Sequence, residues 1–122
     1  MKLSLKDFCS ISNFFAVPIL VLDPDSACVL YCNESFEELT GKTIDQVKNT
    51  EIYDLFIAQN RKKIDAIVSL TKGDDNVVRI GEKDLEIKRR SGRKSPVDVH
   101  CKSVHLLSKR VLVFSLIDLS EI

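Results

Sequence analysis

The chain has 122 residues, 44% hydrophobic and 30% charged, which suits one soluble globular domain around one core. Its 18 Lys and Arg balance its 18 Asp and Glu, so nonspecific polyanion binding, which draws on a basic excess, is not expected, and little self-repulsion opposes oligomers. The longest apolar run, 14–22, contains Pro18 and falls short of the ~20 residues of a membrane span, and MKLSLKDFCS lacks a signal-peptide core, so a cytoplasmic chain without direct membrane contact is expected.

Leu5, Phe8, Ile11 and Phe15 recur at three- and four-residue steps, which predicts an amphipathic helix from residue 3 to about 15. Pro18 biases Val17 away from helix, and PILVLD reads as a short buried strand, Ile19 to Leu22. DPDSA is a turn with Pro24 at a central position among aspartates. CVLYC is a second strand, close enough in sequence for an antiparallel hairpin. In YCNESFEELTG, Asn33 follows that strand and is placed to N-cap a short helix. Phe36 and Leu39 share one face of it, and Gly41 supplies a left-handed stop. TIDQ is a Thr-x-x-Gln capping box opening another short helix at Thr43, and TEIYDLF forms a further helical turn. IAQNRKKIDAIVSLTKG carries the longest helical pattern, with Ile57, Ile64, Ile67 and Val68 on one face and Gly73 at its end.

The period then changes from helical to alternating. NVVRIGEKDLEIKRR reads as a strand interrupted near Gly81, and SGRK as a turn. PVDVHCKSVHLL sets Val97, Val99 and Cys101 against Asp98, His100 and Lys102. SKR turns again, and VLVFSLIDL is a strongly apolar final strand. Strands grouped at the two ends, with helices between, predict an α+β fold with an antiparallel sheet. No repeat, low-complexity segment or linker interrupts the chain.

Cys9, Cys28, Cys32 and Cys101 form no CxxC pair. Cys28 and Cys32, placed in one strand, stand roughly 13 Å apart at ~3.3 Å per residue, too far for a disulfide, so buried reduced thiols are expected. His100 and His105 do not complete a metal set. No nucleophile elbow or glycine-rich phosphate loop is present, and the carboxylates sit in helix-surface or turn contexts, so the chain carries no enzyme constellation. KRRSGRK, Lys88 to Lys94, is the one dense basic run and reads as a solvated hairpin tip. A nucleic-acid site needs a reading element beside such a patch, so no nucleic-acid partner is expected. Acidic partner surfaces stay open.

Four stretches in order make the chain resemble a PAS domain, a sensory module. They are Asp23 closing the first strand, YCNESFEELTG, RRSGRKSPVDV before the strand of alternating valines, and IDLSE, where the family shows an Asp-Ile-Thr-Glu-like ending. Leu119 and Ser120 depart mildly from that ending. The resemblance covers residues 17–122, with 1–16 as an N-terminal amphipathic helix. It implies a five-stranded antiparallel sheet with short helices on one face.

By that resemblance, the sheet's concave face and the helices enclose an apolar space. Leu20, Leu22, Phe36, Leu39, Val97, Val99, Cys101, Leu112, Phe114 and Leu116 face it, either as a small-molecule pocket or as a filled core. Haem and flavin do not fit: no His lies in 59–72 and no Asn-Cys-Arg-Phe-like helix is present. The family also implies homodimerisation through the N-terminal helix and the outer sheet face. Here those positions are Leu5, Phe8, Ile11, Phe15, Val111, Val113 and Ile117. Asp118 is the expected transmission point toward an effector beyond DLSEI, such as a diguanylate cyclase or the histidine kinase of a two-component system. The alternative is a ligand-free dimerisation or docking module.

Overall fold

The structure, a computed structural model, describes residues 4–71, 78–80, 85–106 and 109–120. Helix α1 (Leu5–Ser12) is N-capped by Ser4, whose hydroxyl accepts from the Asp7 N–H at 3.1 Å. Strands β1 (Ile19–Leu22) and β2 (Val29–Cys32) follow as an antiparallel hairpin. Asp23 closes the turn between them, its Oδ1 accepting from the N–H groups of Asp25 and Ser26 at 2.9 and 3.2 Å.

Helix α2 (Glu34–Thr40) starts at the Asn33 cap and stops at Gly41, whose φ of 73° lies in the left-handed region that glycine enters without strain. Helix α3 (Ile44–Val47) opens at Thr43, whose N–H donates to Gln46 Oε1 at 2.9 Å as the capping box requires. Two 3-10 turns, Ile52–Leu55 and Ala58–Asn60, lead into α4 (Arg61–Thr71). The long helical pattern therefore begins its α-helix at Arg61. Ile64, Ile67 and Val68 lie on the buried face as predicted, while Ile57 precedes the helix and is half-buried.

The last third supplies β3 (Val78–Ile80), β4 (Glu86–Lys88), β5 (Lys94–Leu106) and β6 (Lys109–Asp118). Gly73 and Gly81, expected as a stop and an interruption, lie outside the described residues. Both β3 and β4 pair with β5, at Val78–Cys101 and Glu86–Pro96, so the antiparallel order is β2-β1-β6-β5 and then β3 and β4. Register sets Leu20 opposite Phe114 and Cys101 opposite Phe114 on the other side. One curled α+β sheet therefore carries its short helices on one face, as expected.

Helix α1 lies on the other face and is shorter than predicted. Its final carbonyl, Ser12 O, accepts from the Asn33 side-chain amide at 3.1 Å, and Asn13 turns out of the helix to accept from Glu34 N–H at 3.1 Å. Tertiary hydrogen bonds end the helix three residues before the apolar spacing does. Phe15, placed on the helix by periodicity, lies outside it and is 55% exposed.

Candidate functional site

The ten inner positions read from the sequence come together in one buried cluster. Alternation along β1, β5 and β6 delivers eight of them to the concave face, and α2 brings Phe36 and Leu39 onto it. Nine are 0% exposed and Leu39 is 8% exposed. Surfaces so completely covered leave no room beside them for a water-sized void. Ile52, Phe56, Ile64, Ile67 and Leu85 fill the same space. The chain's own side chains cover this apolar face.

The polar end of this cluster was not legible in advance. Thr71 Oγ1 lies 3.3 Å from Cys101 Sγ and donates to the Ile67 carbonyl at 2.7 Å. Ser103, one step further along β5, is 2% exposed, and its hydroxyl has no hydrogen-bond partner among the described residues. Burial pushes the thiols of Cys101 and Cys32 up to about 12 and that of Cys9 to about 11. They stay protonated and weakly nucleophilic at neutral pH, as expected of reduced, inert cysteines. All four cysteines are free; Cys32 and Cys101 are buried as expected, whereas Cys9 and Cys28 are half-buried.

Asn33 is the polar hub between the two faces. Fully buried, it accepts on Oδ1 from Ile19 N–H at 2.9 Å and from Phe36 N–H at 3.1 Å. Its Nδ2 donates to the carbonyls of Ser12 and Val17 at 3.1 and 2.9 Å. One side chain thus caps α2, anchors the start of β1 and ends α1. Sequence spacing shows the cap alone, because the other three partners lie 14 to 21 residues away.

A model of the PAS domain family matches residues 16–121. The chain belongs to the PAS domain family. Solved structures agree on the fold. The PAS domain of a Colwellia psychrerythraea protein is 13% identical, covers 97% of this chain and 98% of its own, and superposes with a TM-score of 0.78. The PAS domain of an HTR-like protein from Haloarcula marismortui is 17% identical, with 93% and 90% covered and a TM-score of 0.75. That of nitrogen regulation protein NR(II) from Vibrio parahaemolyticus is 15% identical, with 95% and 99% covered and a TM-score of 0.69. A search of curated protein sequences finds no match.

In this PAS domain the outer face is partly used by the chain itself. Leu5 and Phe8 of α1 pack on Val21, Leu106 and Val111, and Val113 is half-buried against the same cluster. Val111 is 1% exposed, which corrects its place among the surface positions: α1 covers it because an amphipathic helix hides its apolar stripe on the nearest apolar sheet. Leu5 and Phe8 are likewise engaged within the chain. Ile11, Phe15 and Ile117 remain 43%, 55% and 45% exposed, joined by Phe14 and Val17, which the sequence reading did not place there. Val17 and Ile117 both border an outer groove, with His100, Lys102 and Ser115, and an edge groove that runs to Glu38, Arg89 and Asp118.

Asp118 ends β6 in the edge groove. Its Oδ1 accepts from Ser120 N–H at 3.0 Å and from the Ser120 hydroxyl at 2.5 Å, while Oδ2 faces Arg89 Nη2 at 3.8 Å. The Arg89 Nε is buried and has no hydrogen-bond partner among the described residues. The basic run therefore reaches the exit strand, a link that only strand pairing creates. No described helix is long and apolar enough to cross a membrane.

Proposed function

We propose that this PAS domain is a cytoplasmic signalling module that responds to a protein contact rather than to a resident ligand. The supporting observation is the filled inner face, where nine candidate pocket residues are 0% exposed. The contact surface is the apolar ridge of Ile11, Phe14, Phe15, Val17 and Ile117, and its occupant is a second copy of the chain. A patch of this kind on a neutral chain favours association. Docking on Ile117 shifts the end of β6, and Asp118 with Arg89 passes the shift to a downstream histidine kinase or diguanylate cyclase. The partner must bind one arrangement of that strand end better than the other for any signal to pass.

The ligand-sensing reading keeps one supporting observation, the buried Ser103 hydroxyl, which has no hydrogen-bond partner among the described residues. Native and denaturing mass spectrometry of freshly purified protein separates the two readings. A bare dimer that becomes monomeric in Phe14→Asp/Ile117→Asp supports the contact reading. A small-molecule mass without phosphate that is lost on denaturation overturns it in favour of a ligand sensor.

A further inference from the structure

The β4–β5 hairpin and the turn between α2 and α3 enclose a second cleft, of about 470 Å³. Lys42, Lys88, Arg89, Arg90 and Lys94 line it, and Asp54 is the one carboxylate on its wall among the described residues. The chain as a whole is neutral, so this is a local concentration of positive charge. Among the described residues no ion pair engages Lys42, Lys88, Arg90 or Lys94.

The backbone holds these cations together. Arg90 N–H donates to the Thr40 carbonyl at 2.8 Å, which pins the hairpin to the end of α2. Gly41 turns there with φ 73°, and a Cβ on it would stand 3.4 Å from Arg90 Cβ. That close approach sets Lys42 facing Lys88. Burial of Lys42 and the charge of Lys88 both favour losing the Lys42 proton, so the pair sits together against its own repulsion. Val47 and Leu55 form an apolar floor, with Gln46 and Thr50 beside it.

We propose that this cleft binds a phosphate-bearing small molecule. Lys42, Lys88, Arg90 and Lys94 contact its phosphates, and the floor of Val47 and Leu55 takes its planar or apolar body. The cleft volume lies in the ~300–1,000 Å³ range of small-molecule sites. Arginine and lysine are the residues that hold phosphate oxygens by charge-assisted hydrogen bonds. A nucleic acid fits poorly, since the chain as a whole is neutral and lacks the basic excess that polyanion binding draws on. Arg89 borders the cleft and also pairs with Asp118, so a bound anion competes with Asp118 for one guanidinium. Apart from Arg89, which also borders the edge groove, the cleft shares no residue with the apolar ridge, and the proposal does not rest on the dimer reading.

Calorimetric titration of the full chain with inorganic pyrophosphate and with ADP tests this at low and at raised salt. The expected result is saturable binding of both, tighter for ADP and weaker in salt. Lys42→Gln/Lys88→Gln removes two charge-assisted contacts and weakens it about tenfold or more. Lys109→Gln, at the far end of β6, leaves it unchanged. Arg90→Gln/Lys94→Gln, at exposed positions, repeats the test should the first variant melt early. The proposal is overturned by absence of saturable binding with either probe, or by equal binding in the charge-removed variants. Tighter binding of a polyglutamate peptide or of phosphatidylglycerol vesicles than of pyrophosphate also overturns it.

Discussion

The Asn33 side-chain amide donates to the Val17 carbonyl at 2.9 Å across 16 residues of sequence, and so fixes where the chain leaves α1 and enters β1. The same side chain caps α2, so Asn33→Ala removes four hydrogen bonds and leaves the Ile19 N–H and the Val17 carbonyl unpaired, whereas Ser12 O keeps the Phe15 N–H and Phe36 N–H keeps the Asn33 carbonyl. A cap alone is worth about 1 kcal/mol; with buried groups left unpaired, the expected loss is about 2–4 kcal/mol. Asn33→Asp keeps the acceptor but loses both donations and sets a carboxylate against two carbonyls, so it too destabilises. Urea unfolding measures both. A loss confined to the cap value would show that Val17 and Ile19 find other partners.

The inner face is full, so enlarging it strains the core. Val99→Phe is expected to destabilise by about 1–3 kcal/mol, the usual range for overpacking. A melting temperature unchanged or raised by this substitution would reveal unfilled space beside Val99 and revive the ligand pocket.

Ser103 gives the opposite sign. Its hydroxyl is buried without a partner among the described residues, so Ser103→Ala removes an unsatisfied group. The variant is expected to be neutral or up to about 1 kcal/mol more stable. A loss of stability, read by the same unfolding curves, would show that the hydroxyl has a partner, such as a bound ligand.

Stability should fall at both ends of the pH scale, for opposite reasons. The folded state holds the Cys32 and Cys101 thiols up to about 12, against 9.0 for a free thiol. Their contribution is complete below pH 9 and is lost as pH rises toward 12, because the unfolded chain releases those protons first. Asp23 runs the other way. The N–H groups of Asp25 and Ser26, with Lys109 nearby, lower its pKa from 3.8. Its contribution is present above 3.8 and is lost as pH falls through the lowered value, an effect that salt weakens at this surface site. Urea midpoints from pH 3 to 11 test both limbs. Cys101→Val should flatten the alkaline limb, and Asp23→Asn the acid one.

Local signals were written where neighbours in sequence are neighbours in space. The Asn33 cap, the Gly41 stop, the Thr43–Gln46 box and the alternation of Val97, Val99 and Cys101 each rest on a few residues, and each stands as read. Those patterns, with the order of helices and strands, determined an α+β fold with an antiparallel sheet, and the resemblance to PAS domains assigned the ten inner positions to one face. Tertiary structure decided the rest, because the deciding contacts join residues far apart in sequence. It ended α1 at Ser12 through Asn33, and buried Val111 beneath Leu5 and Phe8. It filled the inner face from α4 and the 3-10 turns, so burial on that face does not by itself imply a pocket. By docking the hairpin onto Thr40, it also set the basic run, exposed as read at all but Arg89, along the wall of a charged cleft. Periodicity tells which way a side chain points; only the folded chain sets what stands opposite it.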